Sequence, residues 1–165
     1  MIELKAASID DGREIFEMLV EIGPGENGFV NSGFNIDFSQ FPAFIRKNIA
    51  ISRGENLLPQ HVPQTVFWLF IHSYPVGFGK LRHYLNEDLR KSGGHIGYTI
   101  RPSERGKGYG TVMLAELLKS AESLGIKDVM LTCVESNIAS RRVIELNNGV
   151  LEENESGKCN YWIHL

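Results

Sequence analysis

Three alternating glycines, which follow a strand and open a long helix, constrain this chain more than any other feature. Residues 105–110 read Arg-Gly-Lys-Gly-Tyr-Gly, between a predicted strand at 95–101 and a predicted amphipathic helix at 108–124. Glycine adopts φ values that other residues avoid, and a helix N-terminus presents unpaired N–H groups and a positive dipole end. The segment therefore predicts a phosphate site, with Arg105 and Lys107 adding positive charge. The alternative is a glycine-rich turn that only connects strand to helix.

Two familiar phosphate-binding patterns do not fit this segment. A P-loop requires Ser or Thr after Gly-Lys, but Gly106-Lys107 is followed by Gly108. A Rossmann fingerprint that starts at Gly106 requires a third glycine where Thr111 stands. The spacing therefore argues against a P-loop nucleotide switch and against a Rossmann dinucleotide site.

Composition argues against several classes of protein. The chain has 165 residues, a formal charge of −3 and no basic stripe of the kind that nucleic-acid binders carry. Its longest apolar run, 66–71, is far short of a membrane span, and its first residues do not read as a signal peptide. Cys133 and Cys159 belong to no Cys/His cluster, which argues against a metal site. We expect one cytoplasmic domain over 1–165, without metal, nucleic-acid or membrane partners.

Hydrophobic periodicity and turn signals predict strands and helices in the order βααβββαβαββ. The predicted strands are 2–7, 65–71, 76–83, 95–101, 129–134, 150–153 and 158–164. The predicted helices begin at the capping pattern 8–11, near Ser39, at Gly108 and at Ala139. Because one helix separates strands 95–101 and 129–134, we expect them to form a parallel, right-handed crossover pair. The other connections predict hairpins, so the expected class is α/β with a mixed sheet.

The glycine segment and its surroundings resemble the GNAT superfamily of acetyl-CoA-dependent N-acetyltransferases. The family pattern Arg/Gln-x-x-Gly-x-Gly/Ala is met by Arg105, Gly108 and Gly110. A strand at 97–102 precedes the pattern, and Asn137 follows the next strand, as in that family. The predicted order of elements also matches the family's fold over nearly the whole chain.

The resemblance implies a fold and a co-substrate, acetyl-CoA. The central sheet would splay between strands 95–101 and 129–134, and the pantetheine arm would occupy the slot. The stretches 93–98 and 137–142 look like a bacterial subgroup without an assigned substrate. The cofactor-binding residues that the resemblance implies are Tyr98, Thr99, Ile100, Arg105, Gly106, Lys107, Gly108, Tyr109, Gly110, Thr111, Asn137 and Ser140.

The resemblance also implies direct attack of a primary amine on the acetyl thioester. Many family members use a Tyr as general acid at the position that Ile144 occupies here. Ser140, water and Tyr161 are the alternative donors for the leaving thiolate. The candidate general bases are His95, Glu135, and Glu21 or Glu26 beside the loop after the first helix. The candidates for binding the acceptor are Glu26 and Tyr161.

Two functions stay open at this point. The first is acetyl-CoA-dependent N-acetyltransfer to a primary amine of a small molecule or a peptide. The second is a non-catalytic module that binds or senses acyl-CoA, which the replacement of the usual Tyr by Ile144 favours. Dimers through the C-terminal strands are frequent in the family, so a homodimer is a further expectation.

Overall fold

The computed structural model describes residues 1–165 except for the side chains of residues 153 and 154. The strands are β1 (Ile2–Ala6), β2 (Gln64–Ile71), β3 (Tyr74–Arg82), β4 (Ile96–Ile100), β5 (Asp128–Val134), β6 (Val150–Glu155) and β7 (Lys158–His164). The helices are α1 (Arg13–Ile22), α2 (Phe41–Ser52), α3 (Glu87–Lys91), α4 (Tyr109–Ser123) and α5 (Ile138–Leu146). The predicted order is confirmed, and the short helix α3 lies where a polar connection is expected.

The strands form two antiparallel sheets that meet at one point. β1, β2, β3 and β4 pair in that order, and β7 lies between β5 and β6 in the second sheet. Gly94, two residues before β4, forms one isolated antiparallel bridge with Leu131 of β5, and the described residues of β4 and β5 form no ladder with each other. The predicted splay is confirmed, whereas the predicted parallel pairing is wrong for the part of the chain described. Gly93 and Gly94 have positive φ and turn the chain just before β4, so the strands part beyond the bridge.

The four-stranded sheet is covered on both faces because its side chains alternate. Trp68 and Phe78 pack with α1 and α2, whereas Leu69 and Leu81 pack with α4. All four side chains are fully buried. Burial of apolar side chains of this size stabilises the fold by roughly 1.5–3 kcal/mol each. The two apolar layers therefore hold the elements that border the slot.

Glycines on β3 let α4 lie close against the sheet. A Cβ on Gly79 would lie 2.3 Å from Met113 Cε and 2.9 Å from Leu117 Cδ1. Both of those side chains are fully buried on α4. The close packing fixes α4, and with it the glycine segment before it, beside the end of β4.

The first helix begins later than the capping pattern predicts. The Ser8 N–H donates to Asp11 Oδ2 at 2.9 Å, and the Asp11 N–H donates to the Ser8 carbonyl at 3.0 Å. These bonds close a turn, and α1 begins only at Arg13. Asp11 Oδ2 also accepts from Trp68 Nε1 at 2.7 Å, so the residue anchors the turn to the core instead of capping the helix.

Three further expectations concern membranes, metals and cysteines. Among the described residues, no helix combines the length and the apolar character that crossing a bilayer requires. The same residues contain no group of His, Cys, Asp and Glu arranged to hold a metal ion. Cys133 and Cys159 are buried opposite each other on β5 and β7 as free thiols.

Candidate active site

A cleft of about 980 Å³ occupies the slot between β4 and β5. One wall is β4 with the loop 26–30, the other is β5 with the start of α5, and the glycine segment 105–110 borders one end. Ligand pockets in proteins typically measure roughly 300–1,000 Å³, so the cleft has room for a cofactor-sized molecule. Of the predicted cofactor residues, Lys107 is the one that the described lining of the cleft does not include.

The glycine segment leaves the N-terminus of α4 open to the cleft. Gly106 and Gly108 have φ values of 78° and 82°, in the left-handed region that residues with side chains rarely adopt. A Cβ at either position would meet no described atom within 4 Å, and no described side chain caps the helix. The N–H groups of the first helical turn are therefore available to an anionic ligand.

Arg105 links the glycine segment to β4 and to the loop 26–30. Its Nε donates to the Ile100 carbonyl at 2.9 Å, and its guanidinium pairs with the Glu26 carboxylate at 2.6 Å. Glu26, which is predicted to bind the acceptor, lines the cleft with its carboxylate paired to Arg105. A guanidinium beside a helix N-terminus suits the oxygens of a phosphate group.

β4 is hydrogen-bonded along one edge. It pairs with β3 from Ile96 opposite Leu81 to Ile100 opposite Gly77. Its other edge borders the cleft, because β5 pairs with β7 and the described residues beyond the bridge form no β4–β5 ladder. Strand edges with unpaired N–H and C=O groups bind extended chains as an added strand. This edge is therefore suited to an extended ligand that contains amide groups.

Tyr98 and Ser140 meet across the cleft. The Tyr98 hydroxyl lies 3.2 Å from Ser140 Oγ, and Asn137 caps α5 by accepting the Ser140 N–H at 3.2 Å. Burial raises the pKa of Tyr98 to about 12, partly opposed by the hydrogen bond to Ser140. The phenol therefore stays protonated at neutral pH, and the pair can donate a proton into the cleft. The sequence predicts both residues but not this contact, which joins β4 to α5.

His95 holds the two sheets together and is not placed to act as a base. The side chain is buried, and its Nδ1 accepts the Met130 N–H at 2.9 Å. The neutral ring then carries its proton on Nε2, so neither nitrogen has a free lone pair. Burial, followed by the charges of Arg90 and Arg82, lowers the pKa of His95 to about 4. The ring also takes the backbone donor of Met130 that a ladder between β4 and β5 would need.

Two other predicted residues lie away from the described lining of the cleft. Glu135 is exposed after the end of β5, and its N–H donates to the Gly157 carbonyl at 2.8 Å. Tyr161 is fully buried, donates its hydroxyl proton to Glu145 Oε1 at 2.8 Å and accepts from Arg141 Nε at 3.1 Å. Tyr161 therefore anchors α5 on the core, and the described lining of the cleft does not include it.

The comparison with protein families covers this part of the chain. Residues 40–148 match the family described as the Acetyltransferase (GNAT) domain. This chain belongs to the GNAT acetyltransferase family. The matched residues include the glycine segment, β4, β5 and α5, which together form most of the cleft wall. No curated protein matches the chain.

Solved structures of other acetyltransferases are similar in fold to this GNAT chain over nearly its whole length. The N-acetyltransferase PseH of Campylobacter jejuni, in complex with acetyl coenzyme A, is 16% identical with a TM-score of 0.67, covering 99% of both chains. RimL, a ribosomal L7/L12 alpha-N-protein acetyltransferase in complex with coenzyme A, is 19% identical with a TM-score of 0.71, covering 99% and 94%. The putative acetyltransferase yncA of Salmonella typhimurium, with acetyl-CoA, is 14% identical with a TM-score of 0.64, covering 99% and 94%. The fold of all three is the fold of this chain.

Two basic residues of this GNAT cleft are missed by the sequence analysis. Lys80 and Arg82 lie on β3 and line the cleft beside the loop 26–30. In the sequence they read only as polar positions of a strand, since nothing local indicates that β3 and the loop meet. The Lys80 ammonium donates to the Val30 carbonyl and lies 4.6 Å from the centre of the Phe29 ring.

Proposed function

We propose that this GNAT domain transfers the acetyl group of acetyl-CoA to a primary amine by direct attack on the thioester. The proposal is carried by one observation, the cleft in which an uncapped helix N-terminus and an open strand edge lie together. The first suits a diphosphate and the second suits a chain of amides, and coenzyme A presents both in succession. The family match and the neighbours that contain acetyl-CoA or coenzyme A support the same co-substrate.

Each part of the co-substrate has a partner in this arrangement. The diphosphate binds the N–H groups of residues 106–111, with Arg105 beside it. The pantetheine arm runs along the backbone of Tyr98, Thr99 and Ile100. Asn137 uses Oδ1 for the cap of α5, so its Nδ2 amide is the group that donates to a pantetheine carbonyl.

The chemistry then needs an oxyanion site and a proton for the leaving group. The amine nitrogen attacks the carbonyl carbon, and an N–H of β4 stabilises the charge that develops on the carbonyl oxygen. Collapse of the intermediate breaks the C–S bond and releases the thiolate. Ser140 gives the thiolate its proton and takes one from Tyr98, which solvent reprotonates. The products are an amide and the free thiol of coenzyme A.

The amine must also lose a proton during the reaction. His95 has no free lone pair for this proton, as described above. Glu135, just after the end of β5, stays a predicted acceptor of this proton. Solvent in the open cleft is the alternative acceptor. Replacement of Glu135 by Gln, followed through the pH dependence of kcat, decides between the carboxylate and solvent.

A non-catalytic acyl-CoA sensor is the second candidate, and the position of Ile144 favours it. Its side chain is buried in the core, with 1% exposed, at the place where many family members carry a Tyr. Thiol release from acetyl-CoA against a panel of amines separates the two functions, and calorimetry with coenzyme A controls for binding. We expect release that depends on an amine. Tight binding without such release would support the sensor, and the absence of binding would overturn both.

A further inference from the structure

The carboxylates that line the described cleft lie at the glycine segment, whereas cations also lie elsewhere in it. Among the described lining residues, the carboxylates are Glu26 and Glu104, which pair with Arg105 and Lys107 of the glycine segment. The cleft is also lined by Arg142 of α5 and, beside the loop 26–30 and the segment 92–94, by the cations Lys80, Arg82 and Lys158. Among the described residues, no carboxylate forms an ion pair with any of these three.

Lys80 is a half-buried cation that no described carboxylate pairs with, and Arg82 lies two residues along the same strand. Its ammonium has three donor protons, and the described contacts use one of them on the Val30 carbonyl. Burial, and then the charge of Arg82, lowers the pKa of Lys80 to about 8. Two like charges that are partly removed from water are unfavourable side by side until an anion lies between them.

The segment 92–94 holds the other two cations in place. Arg82 Nη1 donates to the carbonyls of Gly93 and Gly94 at 3.1 Å each. Lys158 Nζ donates to Ser92 Oγ at 3.0 Å. Guanidinium carries five N–H donors, and these bonds occupy a single nitrogen of Arg82. The arrangement therefore fixes the guanidinium and keeps further donors for a ligand.

In the proposed binding mode, the cations lie near the thioester end of the co-substrate. Lys80 is opposite Gly97 in the ladder between β3 and β4, whereas Arg105 binds the carbonyl of Ile100. The three residue-to-residue steps from Gly97 to Ile100 span about 10 Å of strand. With the diphosphate on the glycine segment, Lys80 and Arg82 stand beside the reacting end of the cleft.

We propose that the acceptor amine carries a carboxylate or phosphate group, which Lys80 and Arg82 bind while the amine approaches the thioester. The inference rests on the proposed N-acetyltransfer and names its class of acceptor. Charge-assisted bonds from a guanidinium and an ammonium are the usual means of holding such oxygens. The same cations repel a polyamine, so acceptors with several positive charges are disfavoured.

The first test measures binding of an anion without turnover. Protein saturated with coenzyme A, which fills the diphosphate site, is titrated with inorganic phosphate while backbone amide shifts are recorded. We expect shifts at Val30, Gly93 and Gly97. Lys80→Met should weaken the affinity for phosphate about tenfold, the effect of one lost charge-assisted hydrogen bond. The exposed control Lys119→Met should leave this affinity unchanged. Phosphate that leaves these amides unmoved, or that moves them equally in Lys80→Met, overturns the inference.

The second test compares acceptors that differ by one charge. Amino acids and amino-sugar phosphates are assayed beside their uncharged amides and dephosphorylated forms, with thiol release as the readout. We expect the charged member of each pair to have a lower KM, by about tenfold, and Lys80→Met to remove that difference. Lys80→Arg should restore the KM because it keeps the charge.

Failure of this inference differs from failure of the proposed function. Equal turnover of charged and uncharged acceptors overturns the anion site and leaves N-acetyltransfer standing. A loss of kcat with unchanged KM in both Lys80→Met and Lys80→Arg would make Lys80 a proton acceptor, which also overturns the anion site. If coenzyme A binds but no amine is acetylated, the proposed function fails, and the phosphate titration still decides the anion site.

Discussion

Tyr98 and Ser140 place two hydroxyl groups 3.2 Å apart on opposite walls of the cleft. Neither hydroxyl belongs to the hydrogen bonds that build the sheets or the helices. The Ser140 N–H, by contrast, is already satisfied by the Asn137 cap. Removing either hydroxyl therefore changes the proton supply of the cleft and leaves the fold intact.

Replacing Tyr98 with Phe removes one hydroxyl and keeps the ring. We expect kcat to fall about 10²-fold, the low end for loss of a general acid, with little change in affinity for coenzyme A. Ser140→Ala should cause a similar loss, and the double variant should lose no more than either single one, because both act in the same relay. Steady-state kinetics of the three variants measures this, and losses that multiply in the double variant would contradict the relay.

The free energy of unfolding should depend on pH through His95. Its pKa falls to about 4 in the folded protein from 6.5, so between these values the unfolded chain binds more protons. Stability is therefore fully present above pH 6.5 and is lost as the pH falls towards 4, by roughly 3 kcal/mol in total. His95→Asn, whose Oδ1 can accept the Met130 N–H, should remove most of this dependence. Urea unfolding at pH 7 and at pH 4.5 measures it, and an equal pH dependence in both proteins would refute the assignment.

Sequence reasoning identifies residues at this scale when backbone shape selects them. Gly106 and Gly108 are predicted because only glycine readily adopts their φ values, whereas Asn137 is predicted from the resemblance to the family and its cap of α5 appears only in the structure. The sequence does not report that His95 and Tyr161 are buried, and burial decides what their side chains contact. Burial depends on which distant elements pack over a residue, and no local pattern reports that.

At the scale of elements, the two ends of α4 differ: its N-terminus borders the cleft, and its C-terminus does not belong to the described lining. The helix is preceded by Gly108 and followed by Gly125, with φ values of 82° and 78°, and a Cβ would meet no described atom within 4 Å at either one. The two glycines are therefore matched in strain and in space. They differ in position, because Gly108 borders the cleft and Gly125 is not part of its described lining.

Alanine at each of these glycines separates strain from binding. We expect Gly108→Ala and Gly125→Ala to lower the free energy of unfolding by a similar amount, about 1–2 kcal/mol, the penalty for a left-handed residue with a Cβ. Only Gly108→Ala should also weaken coenzyme A, because its methyl group occupies the space of the diphosphate. Calorimetry and urea unfolding on both variants measure the two effects. Equal affinity in the two variants would argue against the phosphate site.

The positions of most elements follow from the sequence, and their pairing does not. Hydrophobic periodicity places α4 and β7 within about a residue of their observed ends. The parallel pair of β4 and β5 is expected from the helix that connects them, and it fails because Gly93 and Gly94 turn the chain and His95 takes a backbone partner. Pairing is a long-range choice between backbones, whereas periodicity describes only one strand at a time.

At the scale of the whole molecule, packing joins the two sheets more than hydrogen bonds do. A single apolar cluster contains Leu69 and Leu81 of the first sheet, Val129 and Tyr161 of the second, and Leu117 of α4. Just before β4, the described backbone contributes a bridge to β5 at one point. The cleft can therefore lie open along most of its length without loss of the common core.

Filling the cleft should stabilise the molecule and protect it locally. Coenzyme A at a hundred times its Kd is expected to raise the free energy of unfolding by about 2.7 kcal/mol. Amide exchange should slow at Tyr98–Ile100 and in the first turn of α4, where the ligand covers N–H groups. Exchange along β1, at the far edge of the first sheet, should change only as far as global stability changes. Hydrogen exchange with and without the ligand measures this, and uniform protection would count against the proposed binding mode.

The parting of β4 from β5 also bears on how this protein could change over generations. Each interstrand hydrogen bond that the two strands do not form is worth about 1 kcal/mol net. A sequence selected for stability alone would therefore gain by pairing β4 with β5. A descendant with paired strands would be more stable and would lack the cleft for a ligand. The gap is therefore expected where ligand binding, and not stability alone, is selected. Variants that close it should be more resistant to heat and inactive.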